Sequence, residues 1–283
     1  MADVLSSRPD YGPIFAALSK ANAGDDYSLN EKVVSAFLAF DASLAPIPDA
    51  ARASLLVQCL DFYDWRLGDS FRLSLLNQAY DIYRSCGLHL EAAGCAYSIA
   101  SIYDDEDNCS EVLLWTDRAI EGGADYVGVI LAYRLQVNCL SSVKRSEGAL
   151  VSLASYREHI RKYGSDSPGD LSPFFIIKAS VYYEQDKYAE SLSAYSDALK
   201  YSPELSPLRP LIMYNTGAVL ARSGFSDEAR ILTEGARSKW RSPEFKLAFP
   251  GYASDLEELA EDNLNLPDSI CPEPLGYWCL IHR

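Results

Sequence analysis

The sequence predicts an all-α protein built from stacked helical hairpins. Three observations carry this expectation. Apolar residues recur at i, i+3, i+4 and i+7 almost throughout the chain, the spacing of an amphipathic helix. The periodic segments run for about 12–16 residues and are broken by short Gly, Asp, Ser or Pro punctuation. Sustained apolar alternation bounded by hairpin turns, the mark of half-buried strands, is nearly absent.

The clearest unit runs from Phe174 to Pro203. Its first helix carries Ala179 and Tyr182, a turn comes at Gln185-Asp186-Lys187, and Tyr188 is next. Its second helix carries Ser191, Tyr195 and Ala198, and Pro203 ends it. Small residues let two helices approach, and aromatic residues fill the space between adjacent hairpins. The next unit, Leu211 to Ser238, has Tyr214-Asn215, Gly217 and Leu220 on its first helix. Gly224 makes the turn, and Ala229 and Ala236 lie on the second helix. Both units resemble tetratricopeptide repeats, which place small and aromatic residues in this order around the turn. The second departs at Thr233, where the family has a large aromatic, so looser packing against the next segment of the chain is expected there.

Three earlier units are present in weaker form: Ala51 to Tyr83, Gly94 to Ile120 and Val127 to Ile160. Taking the small or apolar first-helix position as anchor gives Leu60, Ala100, Val137, Ala179 and Gly217. The steps are 40, 37, 42 and 38 residues, longer than the ~34 of a strict tetratricopeptide repeat. The resemblance implies a right-handed α-α superhelix, a solenoid of about five to six hairpins closed by an acidic capping helix. Four segments are expected: an N-terminal helix pair over 1–48 (helices at 11–22 and 29–45), the solenoid over 49–242, the acidic capping helix within 243–264, and an irregular Pro/Cys/Trp tail over 265–283.

Composition narrows the function. The 283 residues are 48% hydrophobic, enough for a sizeable core, and carry a net charge of −15. Residues 1–110 carry −9, residues 111–242 are neutral, and residues 243–283 carry −6. Such a chain is a poor non-specific binder of nucleic acid and is repelled by anionic membranes. An acidic end also suits a basic partner. Met1 to Asp10 has no secretory pattern, and no apolar run approaches the ~18 residues of a membrane helix. The seven scattered cysteines fit reduced thiols. A cytoplasmic protein is expected.

No catalytic constellation stands out. There is no phosphate-cradling glycine loop and no glycine-flanked serine nucleophile. Of the three histidines, His159 near a helix end is explained by a favourable charge at a helix C-terminus. The run Asp104 to Asp107 lacks the glycine and final glutamate of a calcium loop and reads as a solvated turn. Cys271, Cys279 and His282 match no zinc spacing. No metal and no cofactor are expected, and no enzymatic activity.

The resemblance implies a concave face lined by the first helices, which in this family binds extended peptides or helices. The residues expected to line it are Tyr97, Ser101, Arg134, Asn138, Ser180, Tyr183, Tyr214, Asn215 and Arg222. This polar and aromatic mixture suits a peptide, which has backbone amides to satisfy and side chains to bury. The family also has a carboxylate clamp of Lys/Arg and Asn that grips chaperone tails. Arg134 and Asn138 match its first pair, but Ile177, Leu211 and Asn215 stand where its other members belong, so chaperone-tail binding is not expected. The function expected is a scaffold or adaptor for a protein or peptide. The alternatives are a peptide-responsive sensor and an acidic inhibitor or immunity-type protein that occludes a basic partner.

Overall fold

The computed structural model describes residues 50–63, 69–123, 126–164 and 167–264. The helix pair expected over 11–22 and 29–45 and the tail 265–283 lie outside the described residues. Among those described there are only helices, turns and bends. In chain order the helices are α1 (Ala50–Tyr63), α2 (Asp69–Ser85), α3 (His89–Asp105), α4 (Cys109–Glu121), α5 (Tyr126–Ser142) and α6 (Ser146–Tyr163). They continue as α7 (Pro168–Tyr183), α8 (Tyr188–Tyr201), α9 (Leu208–Arg222), α10 (Ser226–Arg241), α11 (Pro243–Ala248) and α12 (Pro250–Leu264). None is long and apolar enough to cross a membrane. The chain divides into two compact units, residues 1–135 and 136–283, and the division falls inside α5.

In the first unit α1 packs on α2, α2 on α3 and α3 on α4. The core between them is made largely of small residues. Ala79, Ala96, Ala100 and Ala119 are fully buried, which lets the helix backbones draw close. Tyr80 of α2 and Trp115 of α4 meet edge to face at 5.1 Å, the arrangement that aromatic quadrupoles favour.

In the second unit α7 packs on α8, α9 on α10, α6 on α7 and α8 on α9. Ser152 of α6 donates to Gln136 of α5 at 3.3 Å. The small positions read from the sequence do more than fill space. Ser191 of α8 donates its hydroxyl to the Ala179 carbonyl of α7 at 2.8 Å, and Ser172 of α7 donates to the Ala198 carbonyl at 3.1 Å. Each buries a hydroxyl with its hydrogen bond made, avoiding the cost of an unsatisfied polar group. Gly217 lets α9 approach α10 closely: a Cβ there would lie 2.7 Å from Thr233 Cγ2 and 2.9 Å from the Ala229 carbonyl oxygen. The small residue at 233 therefore serves the close contact within its own hairpin.

One backbone turn recurs. Asp107, Lys144 and Asp186 have φ of 56°, 56° and 57°, and Gly224 has 89°. The residue after each is the N-cap of the next helix, and its N–H returns to a carbonyl five residues back. These bonds are Asn108 to Tyr103, Arg145 to Leu140, Lys187 to Tyr182 and Phe225 to Leu220. Gly87 and Leu88 repeat the geometry between α2 and α3, with φ of 72° at Gly87. This is a left-handed helix stop, which satisfies orphan carbonyls of the finished helix. Its occurrences at 107, 144, 186 and 224 are 37, 42 and 38 residues apart, the same as the last three steps between the apolar anchors.

The last two helices fasten to the preceding hairpin. Ser242 accepts from Phe245 N at 3.2 Å and Pro243 opens α11, a stop succeeded at once by a start. Glu257 of α12 accepts from Trp240 Nε1 at 2.8 Å and from Arg241 Nε at 2.9 Å. The segment 243–264 therefore holds two helices, with the acidic one at Pro250–Leu264.

Candidate partner-binding face

The recurring turn gives a register for comparing first helices. Ten and six residues before each left-handed residue stand Tyr97 and Ser101, Arg134 and Asn138, Ile176 and Ser180, and Tyr214 and Ala218. The environment at this register changes along the chain.

On α3, Tyr97 and Ser101 are half-buried, as is Arg134 on α5. Tyr97 and Arg134 interact electrostatically within the first unit. Burial pushes the Tyr97 phenol up to about 12, while the Arg134 guanidinium acts in the opposite direction and Asp104 adds to the rise. The phenol thus stays protonated as a hydrogen-bond donor at neutral pH. Asn138 lies one turn further along α5 and is half-buried.

In the second unit the same register is mostly packed. Ile176 and Ala218 are fully buried. Tyr214 and Asn215, expected to line the groove, are also fully buried. Tyr214 lies 5.7 Å from the Trp240 ring with Arg237 over its face at 5.5 Å. Asn215 is hydrogen-bonded to the Tyr195 hydroxyl, which also faces Ser180 Oγ at 3.5 Å. Burial raises the Tyr195 phenol to about 12, so its O–H needs a partner inside the core, and Asn215 and Ser180 supply one. The structure thus places Tyr214 and Asn215, both expected on the groove, in the packing between helices.

Tyr183 and Arg222 sit at the ends of α7 and α9. Arg222 Nε donates to the Tyr183 hydroxyl at 3.2 Å. Tyr183 is largely covered while Arg222 is exposed, so the hydrogen bond tethers an exposed arginine to a packed tyrosine hydroxyl. Ser180, half-buried, gives its hydroxyl to the Ile176 carbonyl at 3.2 Å.

Two other clusters are not evident from the sequence. On α7, Phe175 stacks on Tyr201 at 5.5 Å, and Lys178 Nζ lies 5.8 Å from both Phe175 and Tyr182. At the ends of α2 and α4, Arg84 and Arg118 converge on Tyr80. Aromatic and cationic residues at i, i+3 and i+4, as in Trp115–Arg118 and Tyr80–Arg84, are the available signal.

The cysteines and one histidine differ from expectation. Cys109 is in a disulfide and so is Cys139, whereas Cys86 and Cys95 are free thiols. Scattered spacing leads to an expectation of reduced thiols, but spacing along a chain says nothing of proximity in space. Burial pushes the Cys95 thiol up to about 12, which makes it inert. His159 is held below its ordinary value by burial and then by Lys162, so the neutral imidazole is favoured there and not a charged helix-end partner.

No protein-family model and no curated protein sequence matches the chain. Its fold is similar to solved structures. BtubC (BKLC) from P. vanneervenii matches at a TM-score of 0.58 with 15% identity, covering 84% of this chain and 93% of that one. The apo form of the quorum sensor NprR from B. thuringiensis matches at 0.58 with 18% identity, covering 87% and 70%. NprR in complex with its cognate peptide NprX matches at 0.55 with 17% identity, covering 93% and 77%. The chain is an all-α helical repeat protein of the solenoid class, sharing the fold of these structures.

Proposed function

We infer that this chain is a non-enzymatic scaffold that binds a peptide or an extended protein segment on its first-helix faces. The observation that supports this best is the half-exposed patch of Tyr97, Ser101 and Arg134 in the first unit. It joins an aromatic ring, a hydroxyl and a guanidinium within one register of the repeat. Tyr and Arg are the residue types that carry most of the energy at interfaces. In the second unit the exposed Arg222, held by the packed Tyr183, and the half-buried Ser180 offer similar chemistry. The resemblance to tetratricopeptide repeats, which use this face for peptides, points the same way.

A photoreactive residue placed at Ser101 tests the reading in the native cell. It should give discrete protein adducts that are absent when the same residue stands at Val151, which is exposed on α6. Identical adducts from both positions would remove the support for this face.

A second reading is a peptide-responsive regulator. NprR, which shares the fold, is a quorum sensor solved both without ligand and with its cognate peptide. On this reading, a bound peptide changes the solution scattering profile of the chain, whereas a passive scaffold keeps its profile.

A further inference from the structure

A cleft in the first unit carries a chemistry different from that of the Tyr97–Arg134 patch. It measures about 200 Å³ and lies among the end of α2, the start of α3 and the end of α4. We propose that this cleft binds a phosphate group, either free or carried by a small phosphorylated molecule, through Arg84 and Arg118.

Both guanidinium groups are held by aromatic rings. Arg118 lies over Trp115 at 4.2 Å and 5.8 Å from the Tyr80 centroid, while Arg84 lies 5.7 Å from that same centroid. Tyr80 and Trp115 are 7% and 6% exposed, so the support is rigid. Over the Trp115 ring, the Arg118 guanidinium keeps its N–H edge available for an oxyanion and loses little entropy on binding one, while Arg84 gives one N–H to the Tyr80 hydroxyl at 3.5 Å and keeps the others.

Neither arginine makes an ion pair among the described residues. Among the described residues no carboxylate lies within 4.0 Å of Arg84 or Arg118. That matters because residues 1–135 carry 9 Lys/Arg against 20 Asp/Glu. In so acidic a unit, two cations that make no ion pair among the described residues outweigh the single carboxylate of Glu121 on the rim and form a local positive site.

The backbone shapes the cleft further. Gly122 closes its wall, where a Cβ would lie 3.0 Å from both Ala93 Cβ and the Arg118 carbonyl oxygen. The 17-residue α3 begins at His89 beside the cleft, and its N-cap Leu88 gives no side-chain hydrogen bond. The partial positive charge of that first turn is opposed by the C-terminal ends of α2 and α4, which meet the same cleft, so the positive charge of the site comes from the two guanidinium groups. The volume is below the ~300 Å³ at which drug-sized ligand pockets begin, so the cleft suits an ion with at most a small substituent. Two arginines match the double charge of phosphate better than the single charge of a carboxylate. Glu121 on the rim opposes any anion and sets the affinity low.

The test titrates the full chain with inorganic phosphate by calorimetry, at ionic strength held constant with sodium chloride. Methyl phosphate and acetate are run as parallel arms. Saturable one-site binding is expected, weakened at least 10-fold in Arg118→Gln and in Arg84→Gln. It should be unchanged in Arg230→Gln, which removes an exposed cation elsewhere, and several-fold tighter in Glu121→Gln. Tighter binding of methyl phosphate assigns an esterified ligand, and equal or weaker binding assigns the free ion. Should Arg118→Gln lose its helical circular dichroism, Arg84→Gln decides, because Arg84 is exposed. Non-saturable binding, acetate binding as tight as phosphate, or phosphate affinity unchanged in Arg84→Gln would overturn the proposal.

Discussion

Replacing Glu257 with glutamine should loosen α12 from α10. The Arg241 guanidinium holds the Glu257 carboxyl from its ordinary 4.5 down to about 2, helped by the Trp240 indole N–H and opposed by partial burial. A shift of that size corresponds to about 3 kcal/mol by linkage. The side chains of Arg241 and Glu257 are 50% and 29% exposed, and solvent screening reduces the useful part to about 1–2 kcal/mol. Glutamine still accepts from Trp240 but cannot neutralise Arg241. Hydrogen exchange reads the effect locally, which suits a repeat protein whose units need not unfold together. At pH 7 the amides of α12 should exchange about 5–30 times faster in Glu257→Gln than in the native chain. The folded pKa is depressed, so the contribution is fully present above 4.5 and is lost as pH falls toward 2. The gap between the two proteins should therefore close over that interval. Equal protection of α12 in both proteins at pH 7 would refute the reasoning.

The packing dictates further outcomes. Gly217→Ala should lower stability by about 1–2 kcal/mol in urea unfolding, because overpacking against the Ala229 carbonyl exceeds the gain in helix propensity. Lys144→Gly should raise stability by about 0.5 kcal/mol, since relief of a left-handed lysine outweighs the added freedom of the unfolded chain. Gly224→Ala, at φ 89°, should lower it by about 1 kcal/mol. The His159 imidazole should titrate below 6.5 by NMR, and Lys162→Gln should bring it back toward that value, because Lys162 is one of the two causes of the shift.

Much of the fold is legible in the residues. Ala179, Ser191 and Ala198 mark the α7/α8 contact, and the structure places all three in it, at the two hydrogen bonds between the helices. The left-handed stop is less visible, because Lys144 occupies a conformation that usually belongs to glycine. The face of each first helix is harder still. Tyr214 and Asn215 share a helical stripe with genuinely open positions, and periodicity alone does not say which stripe a neighbouring helix will cover. What decides it is the Tyr195 phenol, buried in the preceding hairpin and requiring Asn215 as its partner. The Arg84–Arg118 pair is separated by a whole hairpin in sequence and becomes a pair only through the shared Tyr80 ring.

The central claim is that a half-exposed first-helix face binds peptide. The most direct measurement pans a random peptide library on the full chain and determines the affinity of the recovered peptides for native protein, Arg134→Glu and Tyr97→Ala. Saturable binding to native protein, weakened at least 10-fold by Arg134→Glu and measurably by Tyr97→Ala, is the predicted result. Recovery of no binding peptide, or equal affinity for all three proteins, would contradict the account.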